Sequence, residues 1–312
     1  MKIAFLLYPP SKVKADEDSS FWIMHELQRR GHNVYHFESR HLLWCKNAPH
    51  AFLTPAKLDA RKGYLPSPLS STARDLSSID CVFIRKEPPF NNEYLYALQL
   101  LEMVKEKVFV LNDPAGIALA NEKTFSLLFK GLAPETVVTE NIAAAKNFLR
   151  HLRARAVIKP LNQKGGYGIF STSGRDKNLP SLLETATCSG TRKILVQRFI
   201  PTGASGDKRI LILNGKALGA FTRRPPPADF RANLSTGGSM HRARLTRQDE
   251  RLVEAIAPKL LSYGLWFVGI DVIGNYLTEV NVTSPAGIPE INFFNKTRLE
   301  KEVADFIEAR LL

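Results

Sequence analysis

The chain has 312 residues, and 44% of them are apolar, which suits a globular protein of about two domains and excludes general disorder. No apolar run approaches the roughly 20 residues that cross a bilayer, so no membrane association is expected. The 43 basic and 30 acidic residues give a net charge of +13. The basic residues are spread along the chain without a zinc-finger spacing or an aromatic RNA platform, so nucleic-acid binding is not expected as the main role.

The N-terminal segment has the pattern of a β–α–β unit. Residues 2–8 form a short apolar run, residues 19–30 have helical spacing, and residues 33–39 alternate like a second strand. Gly31 stands where a helix normally ends. This order predicts a parallel, Rossmann-like sheet. No G-x-G-x-x-G motif follows the first strand, so dinucleotide binding is not expected there.

Strands and helices continue to alternate after this unit. Periodicity predicts strands at 81–86 and 108–112 and a helix at 92–105. The sequence N-D-P at 112–114 is a helix-start signal, because it offers a capping side chain and then Pro in the first turn. The helix that it opens is predicted to carry residues 121–123.

Beyond residue 121 the pattern predicts antiparallel hairpins. Apolar or alternating segments predict strands at 156–161, 168–172, 194–200, 207–213 and 216–224. The last two flank an Asn-Gly dipeptide, which is a strong signal for a tight hairpin turn. An amphipathic helix is predicted at 246–261, because Thr246 and Asp249 have the spacing of a capping box.

Two loops carry candidate phosphate-binding residues. Lys159 ends a strand and precedes the sequence NQKGGYG at 162–168, whose glycines let the backbone approach a phosphate group closely. This is not a Walker A loop, and the alternative is a flexible hairpin tip. Arg223 and Arg231 bracket a proline-rich loop. An arginine there either is a solvated surface residue or stabilises charge during phosphoryl transfer.

Three oxygen-bearing side chains interrupt an apolar hairpin near the C-terminus: Asp271 on one strand, and Glu279 and Asn281 on the next. Carboxylate and amide oxygens are the ligands that Mg²⁺ prefers. A two-residue turn at 274–275 would put Asp271 and Glu279 on opposite faces, whereas a three-residue loop at 274–276 would place them opposite each other on one face. A common metal site is therefore expected to require the longer loop. The alternative is a satisfied core Asp beside a solvent-facing Glu.

Together these motifs resemble those of bacterial glutathione synthetase, an ATP-grasp carboxylate–amine ligase. The segments that carry the resemblance run in family order from residue 85 to residue 285: RKEPPFNNEYLYALQLLE, LNDPAGIALANEKTF, LAPETVVT, VIKPLNQKGGYGIF, GDKRILILNG, RANLSTGGS and FVGIDVIGNYLTEVNVTSP. The N-terminal KIAF…QRRGHNVYHFE also fits, so the resemblance covers nearly the whole chain.

The resemblance implies an α/β (α+β) protein with an ATP-grasp fold and an N-terminal Rossmann-like, parallel-sheet domain of the pre-ATP-grasp type. The implied domains are residues 1–120, which bind substrate, residues 121–200, a central ATP-grasp subdomain with a Gly-rich lid loop, and residues 201–312, a C-terminal ATP-grasp subdomain with the metal site. ATP would lie between two antiparallel sheets.

The resemblance also implies roles for individual residues. The positions that match ATP contacts of the family are Lys123, Lys159, Gly165, Gly166, Gln197, Arg198, Phe199, Ile200 and Asp207, the last at the ribose. Catalytic positions near the reacting phosphate and carboxylate are matched by Arg223, Arg231 and Asn233, and substrate contacts by Arg85 and Arg231. The metal ligands are matched by Asp271, Glu279 and Asn281, for Mg²⁺ or alternatively Mn²⁺.

The implied reaction joins γ-glutamylcysteine to glycine. The dipeptide's carboxylate takes the γ-phosphoryl group of ATP, and the amine of glycine then attacks the acyl phosphate, so that ADP and phosphate are released. The implied partners are these small molecules and further copies of the chain, as a dimer or tetramer. Three scattered cysteines, Cys45, Cys81 and Cys188, form no metal spacing and indicate a reducing cytoplasm.

Several positions depart from the family pattern. Glu87 and Asn91 stand where the family commonly has Asp, and residues 286–300 differ from its usual acidic run. The charge of +13 is also unusual for the family, and residues 45–78, rich in Pro, Ser and polar groups, have no clear pattern. The alternatives are therefore a related ATP-grasp ligase that joins another acid or amine, and a non-catalytic nucleotide- or nucleic-acid-binding protein.

Overall fold

The computed structural model describes residues 1–9, 13, 17–65, 67–70, 72–163, 165–203 and 206–312. Within these residues the α-helices are α1 (Ser19–Arg29), α2 (Asn92–Glu102), α3 (Pro114–Leu119), α4 (Ile142–Leu152), α5 (Leu179–Thr187), α6 (Arg247–Ser262), α7 (Ile288–Asn295) and α8 (Leu299–Leu311). The strands are β1 (Lys2–Leu6), β2 (Asn33–Phe37), β3 (Leu42–Cys45), β4 (Ala48–Ala51), β5 (Thr54–Pro55), β6 (Leu58–Asp59), β7 (Gly63–Tyr64), β8 (Arg74–Asp75), β9 (Cys81–Ile84), β10 (Phe109–Leu111), β11 (Thr136–Thr139), β12 (Arg155–Pro160), β13 (Phe170–Ser173), β14 (Ile194–Arg198), β15 (Asp207–Leu213), β16 (Lys216–Arg224), β17 (Ser239–Arg242), β18 (Phe267–Ile273) and β19 (Tyr276–Asn281). None of the helices described combines the length and the apolar composition that crossing a membrane requires.

The N-terminal segment forms a mostly parallel sheet with the strand order β10-β9-β1-β2-β5. β1, β2, β9 and β10 run parallel, and the short β5 is antiparallel to β2. α1 connects β1 to β2. Asp18 caps this helix by accepting a 2.8 Å hydrogen bond from the backbone N–H of Phe21, and Gly31 follows its end with φ of 85°. The predicted β–α–β unit is therefore confirmed.

Two antiparallel sheets follow, with the strand orders β11-β14-β12-β13 and β17-β16-β15-β18-β19. The predicted hairpin of β15 and β16 is present, and its turn residues Asn214 and Gly215 have φ of 49° and 77°, as a tight turn of this kind needs. The predicted capping box of Thr246 and Asp249 begins α6. Local sequence signals were sufficient for these elements.

The segment without a clear pattern belongs largely to two small sheets. Their orders are β3-β4-β8 and β6-β7, and residues 42–51 form the β3–β4 hairpin. All five of these strands are two to four residues long, which is too short for an alternating pattern to appear. Pro66 and Ser71 lie outside the described residues.

The first and third sheets share their apolar cores, whereas the central sheet packs on its own helices. Leu6 of β1 and Ile210 of β15 belong to one buried cluster. Leu149 of α4 and Ile158 of β12 belong to a separate cluster beneath the central sheet. The central sheet is therefore the part of the protein that depends least on the other two sheets for its core.

The buried side-chain amide of Asn112 connects the N-terminal part of the chain to the third sheet through hydrogen bonds. Asn112 Nδ2 donates to the carbonyl oxygens of Phe267 (2.7 Å) and Val282 (3.0 Å), and its Oδ1 accepts from Phe267 N (2.7 Å). All three bonds satisfy groups that would otherwise be buried without partners. Asn112 therefore holds β18 and the end of β19 against the parallel sheet.

The helix predicted to carry residues 121–123 is shorter than expected. α3 ends at Leu119, and the three residues lie in the turn that follows. Asn121 is the physical reason, because its Oδ1 accepts from the N–H groups of Lys123 and Thr124 (both 3.1 Å) and starts a new turn. Its Nδ2 donates to Leu161 O at 3.1 Å. This bond across the chain fixes the direction in which Lys123 leaves the turn.

Candidate active site

A cavity of about 260 Å³ lies between the central and third sheets. It is lined by one of the two predicted substrate contacts, Arg231 but not Arg85, and by all of the residues predicted as ATP, catalytic and metal contacts: Lys123, Lys159, Gly165, Gly166, Gln197, Arg198, Phe199, Ile200, Asp207, Arg223, Arg231, Asn233, Asp271, Glu279 and Asn281. The structure thus brings these residues together. The role assigned to each of them remains a prediction.

The central sheet supplies one wall of the cavity. Lys159 is almost fully buried near the end of β12, and its Nζ lies 3.7 Å from Glu279 Oε1 on the third sheet. Gln197 is buried on the neighbouring β14, and its Nε2 donates to Thr136 Oγ1 at 3.0 Å. Farther out, the ring of Phe199 packs edge-on against Phe230. A cationic end and an aromatic end therefore face the same space.

Three backbone carbonyl oxygens of the Gly-rich loop accept hydrogen bonds from side chains outside the loop. Lys123 Nζ donates to Gln163 O (2.6 Å), Ser235 Oγ donates to Gly165 O (2.7 Å), and Arg231 Nη1 donates to Gly166 O (3.0 Å). Gly165 and Gly166 have φ of 65° and 78°, which favours glycine. Lys164 of the same loop lies outside the described residues. The loop therefore closes against the loop that follows the proline run.

The hairpin of β18 and β19 brings Asp271 and Glu279 to one face by a different turn from the one predicted. Its turn is the two-residue Gly274-Asn275, because Ile273 pairs with Tyr276, and yet Asp271 pairs directly with Glu279. The prediction that only a three-residue loop would allow this was wrong. A β-bulge at Thr278 supplies the extra residue instead, and the Thr278 hydroxyl donates to Asp271 O at 3.0 Å.

The carboxylate of Asp271 is held by two guanidinium groups. Arg209 meets it with Nε at 2.5 Å and Nη2 at 3.1 Å, and Arg223 meets it at 3.0 Å. Burial alone would raise the pKa of Asp271, but the charges of Arg209 and Arg223 outweigh burial and hold that pKa below its usual range. Arg223 also pairs with Asp207 at 2.7 Å. Burial and the nearby charge of Asp271 raise the pKa of Asp207 despite this partner.

Two residues of the site were missed from the sequence. Arg209 stands directly across from Asp271, and its position two residues after Asp207 on β15 would have placed it on the same face. Glu122 is partly buried in the cavity wall and accepts a 2.6 Å bond from Thr283 Oγ1. Burial raises its pKa. Its place beside Lys123 was the only signal for it in the sequence.

The donor set of the hairpin fits a hard divalent cation. Asp271 and Glu279 present carboxylate oxygens from paired positions, and Asn281 Nδ2 lies 3.5 Å from Asp271 Oδ2 on the same face. The part of the chain that the structure describes holds no cluster of three His, Cys, Asp or Glu side chains suited to a metal. An ion here would therefore need the amide oxygen of Asn281 as well as the two carboxylates.

Arg85 lines a second cavity, of about 540 Å³, which shares Glu87, Pro88 and Ser284 with the first. The Arg85 side chain is 1% exposed, and burial lowers its pKa. Its Nε donates to Ser20 Oγ and its Nη2 donates to Pro285 O, each at 2.9 Å. Nη1 has no hydrogen-bond partner. The structure therefore places Arg85 beside the cavity between the central and third sheets and not within it.

Two antiparallel sheets that enclose a cationic, carboxylate-bearing cavity, behind a parallel N-terminal sheet, define the ATP-grasp class of ligases. Solved structures share this fold. D-cycloserine synthetase DcsG matches with a TM-score of 0.69 and 13% identity over 98% of this chain and 99% of that chain. D-alanyl-alanine synthetase A from Vibrio cholerae matches with a TM-score of 0.62 and 16% identity over 99% and 98%. At these identities the likeness concerns the fold alone, and it confirms the predicted fold class.

Sequence comparison identifies the family. Residues 1–118 match the model of the prokaryotic glutathione synthetase N-terminal domain, and residues 122–296 match that of the prokaryotic glutathione synthetase ATP-grasp domain. The glutathione synthetase of Thermosynechococcus vestitus is 39% identical over 97% of this chain and 98% of its own length. That of Coxiella burnetii is 35% identical over 99% and 97%. The chain belongs to the prokaryotic glutathione synthetase family and is an ATP-dependent ligase, as the resemblance implied.

Proposed function

We propose that this protein joins γ-glutamylcysteine to glycine at the expense of ATP. Membership of the glutathione synthetase family over nearly the whole chain supports the substrate pair. The observation that carries the chemistry is the gathering of Lys123, Lys159 and the Asp271–Glu279 pair around one cavity. Cations for phosphate oxygens and oxygens for a divalent ion are the two requirements of a site that positions ATP.

ATP is proposed to lie along the cavity with its base at the aromatic end. Gln197, Arg198, Phe199 and Ile200 would contact the adenine, and Asp207 would accept from the ribose. The phosphates would meet Lys123, Lys159, Gly165 and Gly166. Because Lys123 Nζ donates to Gln163 O and Lys159 Nζ lies near Glu279 in this structure, both lysines would exchange these partners for phosphate oxygens.

Mg²⁺ is the proposed ion, with Mn²⁺ as the alternative, and Asp271, Glu279 and Asn281 are the proposed ligands. When bound, the ion neutralises phosphate charge and lowers the cost of bringing a second anion close. Arg209 and Arg223 pair with Asp271 in this structure. They therefore offset the free-energy cost of burying its charged carboxylate before an ion binds.

The proposed reaction has two steps. A carboxylate oxygen of the dipeptide attacks the γ-phosphorus of ATP, the bond to the β–γ bridging oxygen breaks, and ADP leaves. The amine of glycine then attacks the carbonyl carbon of the acyl phosphate, phosphate leaves, and the amine loses its proton to solvent. Arg223, Arg231 and Asn233 are proposed to stabilise the charge of the reacting phosphate and carboxylate. Arg231 and Ser235 hold the Gly-rich loop closed, which excludes water from the acyl phosphate.

Further proposals concern organisation and setting. We propose an N-terminal substrate domain of residues 1–120, a central ATP-grasp subdomain of residues 121–200 and a C-terminal subdomain of residues 201–312. The separate core of the central sheet supports the middle unit. A homo-oligomer, dimer or tetramer, is proposed from the family resemblance alone. A cytoplasmic setting is proposed because all three cysteines are free thiols.

A coupled assay tests the proposed function. Purified protein with ATP, Mg²⁺, γ-glutamylcysteine and glycine is expected to release ADP and form glutathione in equal amounts. Glu279→Ala should abolish both products, while Glu184→Gln, an exposed residue of α5, is the matched control that should retain them. No product from folded, ATP-binding protein would exclude this substrate pair.

The runner-up is a ligase of the same mechanism with another acid or amine. It is motivated by Glu87, which lines both cavities where the family commonly has Asp, and by the divergent segment 286–300 that contains α7. ADP release across a panel of acids and amines separates the two. A higher kcat/KM for a pair other than γ-glutamylcysteine and glycine would favour the runner-up.

A further inference from the structure

Arg155 is the first residue of β12 and has no role in the site described above. Alternate side chains of a strand share a face, so Arg155 lies on the same face as Val157 and Lys159, which line the cavity between the central and third sheets. Arg155 itself is exposed and lies outside the cavity wall. It therefore stands at the outer end of a row of side chains that leads into the cavity.

The side chain of Arg155 packs on the ring of Phe199. Phe199 N donates to Arg155 O at 2.9 Å, so the two residues face each other across the neighbouring strands β12 and β14. The Cζ atom of Arg155 lies 4.5 Å from the centroid of the ring, within the range of a cation–π interaction. Phe199 lines the cavity and Arg155 does not. The guanidinium therefore covers part of the ring that is turned away from the cavity.

Two further contacts hold this pair. Arg155 Nη2 donates to Ser171 Oγ of β13 at 2.8 Å, which keeps the guanidinium on the central sheet. On another side, the ring of Phe230 meets the ring of Phe199 edge-on, with the centroids 6.0 Å apart and an interplanar angle of 75°. Phe199 directly follows β14, so its ring lies beyond the last residue of that strand. The orientation of the ring therefore depends on these contacts.

We propose that Arg155 is a positioning residue for the base of ATP: it holds the ring of Phe199 in place, and the part of the ring that lines the cavity receives the adenine. The inference rests on the proposed function, which puts the base at this end of the cavity, and it adds a residue that does not touch the nucleotide. A side chain that is already immobilised loses no rotational freedom when a ligand binds, so the base binds more tightly.

Binding of two ligands by Arg155→Met gives the central test, because methionine keeps a long side chain against the ring and removes the charge. We expect the dissociation constant of ADP to rise about 3- to 10-fold, through the loss of one cation–π contact and of one ordered side chain. Inorganic triphosphate has no base, so its dissociation constant should change by less than about twofold. Titration calorimetry with Mg²⁺ measures both. A long-range attraction between Arg155 and the phosphates would instead weaken both ligands alike.

Three more variants show whether Arg155 acts through Phe199. In a Phe199→Leu protein, Arg155→Met should change the dissociation constant of ADP by less than about twofold, because the ring that the guanidinium holds is gone. Arg155→Lys keeps a cation and should bind ADP within about threefold of wild type. Arg175→Met removes an exposed arginine two positions beyond β13 and is the matched control, with both ligands bound as in wild type.

The kinetic parameters separate this role from a structural one. In the coupled assay Arg155→Met should raise the KM for ATP by about the factor found for ADP binding, while kcat stays within about twofold. The reason is that the ring contributes to nucleotide binding and not to the stabilisation of the transition state. A fall in kcat without a change in KM would contradict the role proposed for Arg155.

The outcomes distinguish this inference from the proposed function. Unchanged ADP binding in Arg155→Met, an equal loss of triphosphate binding, or the same loss in the Phe199→Leu protein would overturn the role of Arg155 and leave the proposed function standing. The predicted pattern of binding in a protein that forms no glutathione would overturn the proposed function alone. A wild-type protein that binds neither ADP nor ATP would overturn both.

Discussion

Comparing Asp271→Asn with Glu279→Gln should separate effects on the stability of this protein from effects on its activity. The wild-type carboxylate is 5% exposed and meets Arg209 at 2.5 and 3.1 Å and Arg223 at 3.0 Å. The amide carries no charge, so Arg209 would lose the only carboxylate it pairs with among the described residues. Arg223 would keep Asp207 at 2.7 Å. The substitution therefore leaves one buried guanidinium uncompensated.

The expected cost follows from this arrangement. Removing one partner of a buried ion pair costs about 3–5 kcal/mol, and because Arg223 keeps a partner we expect the lower end, about 3 kcal/mol. That is about a 150-fold fall in the folding equilibrium constant. Glu279→Gln should cost less than about 1 kcal/mol, because the Glu279 side chain is 21% exposed and its one ion pair with a described residue, Lys159, spans 3.7 Å. Both variants remove a proposed metal ligand and should abolish ligation.

Denaturant unfolding and ADP release measure the two effects side by side. Asp271→Asn should unfold at lower denaturant concentration than Glu279→Gln, while both give no product. Adding Arg209→Met to Asp271→Asn removes the uncompensated charge and should recover part of the lost stability. Equal stability of the two single variants, or further destabilisation by Arg209→Met, would refute the charge balance inferred for this network.

Three further changes test other parts of the structure. His36 is partly buried, and the loss of solvation lowers its pKa to about 4. Its stabilising effect is therefore present above the unfolded value near 6.5 and is lost as pH falls toward 4, and His36→Phe should remove up to about 2 kcal/mol of that pH dependence in unfolding experiments. Gly166→Ala would place a Cβ 2.5 Å from Asn233 Oδ1 at φ of 78°, so the KM for ATP should rise several-fold and the free energy of unfolding should fall by about 1 kcal/mol. An unchanged KM would contradict the loop contact. Gly116→Ala would place a Cβ 1.9 Å from the backbone oxygen of Tyr263, and it should destabilise the protein by about 3 kcal/mol in denaturant unfolding, whereas a smaller loss would mean that α3 shifts freely.

The elements predicted well are those specified by neighbouring residues. The hairpin around Asn214-Gly215 and the start of α6 at Thr246 depend on interactions within a few positions of the chain, and both are present as predicted. The spacing of Glu279 and Asn281 likewise placed both residues on one face of β19. These signals are local, so a sequence without its tertiary structure contains them in full.

The features that were missed depend on residues far apart in the chain. The bulge at Thr278 decides the pairing of Asp271 with Glu279. The direction in which Lys123 leaves the turn after α3 depends on the bond from Asn121 to Leu161, across 40 positions. Alternation along β15 puts Arg209 on the same face as Asp207, but its place opposite Asp271 depends on the pairing of β15 with β18. No pattern of alternation specifies such contacts, because each partner's position is set by the packing of another segment.

The sequence by itself determined the β–α–β start, the hairpin of β15 and β16, the lysines and carboxylates that line the ATP-grasp cavity, and the family to which the chain belongs. Only the tertiary structure decided which charged groups pair with one another and which keep a polar atom without a partner. Arg85 shows the reason, since its partner Pro285 is 200 positions away and its unpartnered nitrogen exists only because the parallel sheet packs against β18 and β19. The free energy of a buried charge depends on its surroundings, and those surroundings are assembled by folding.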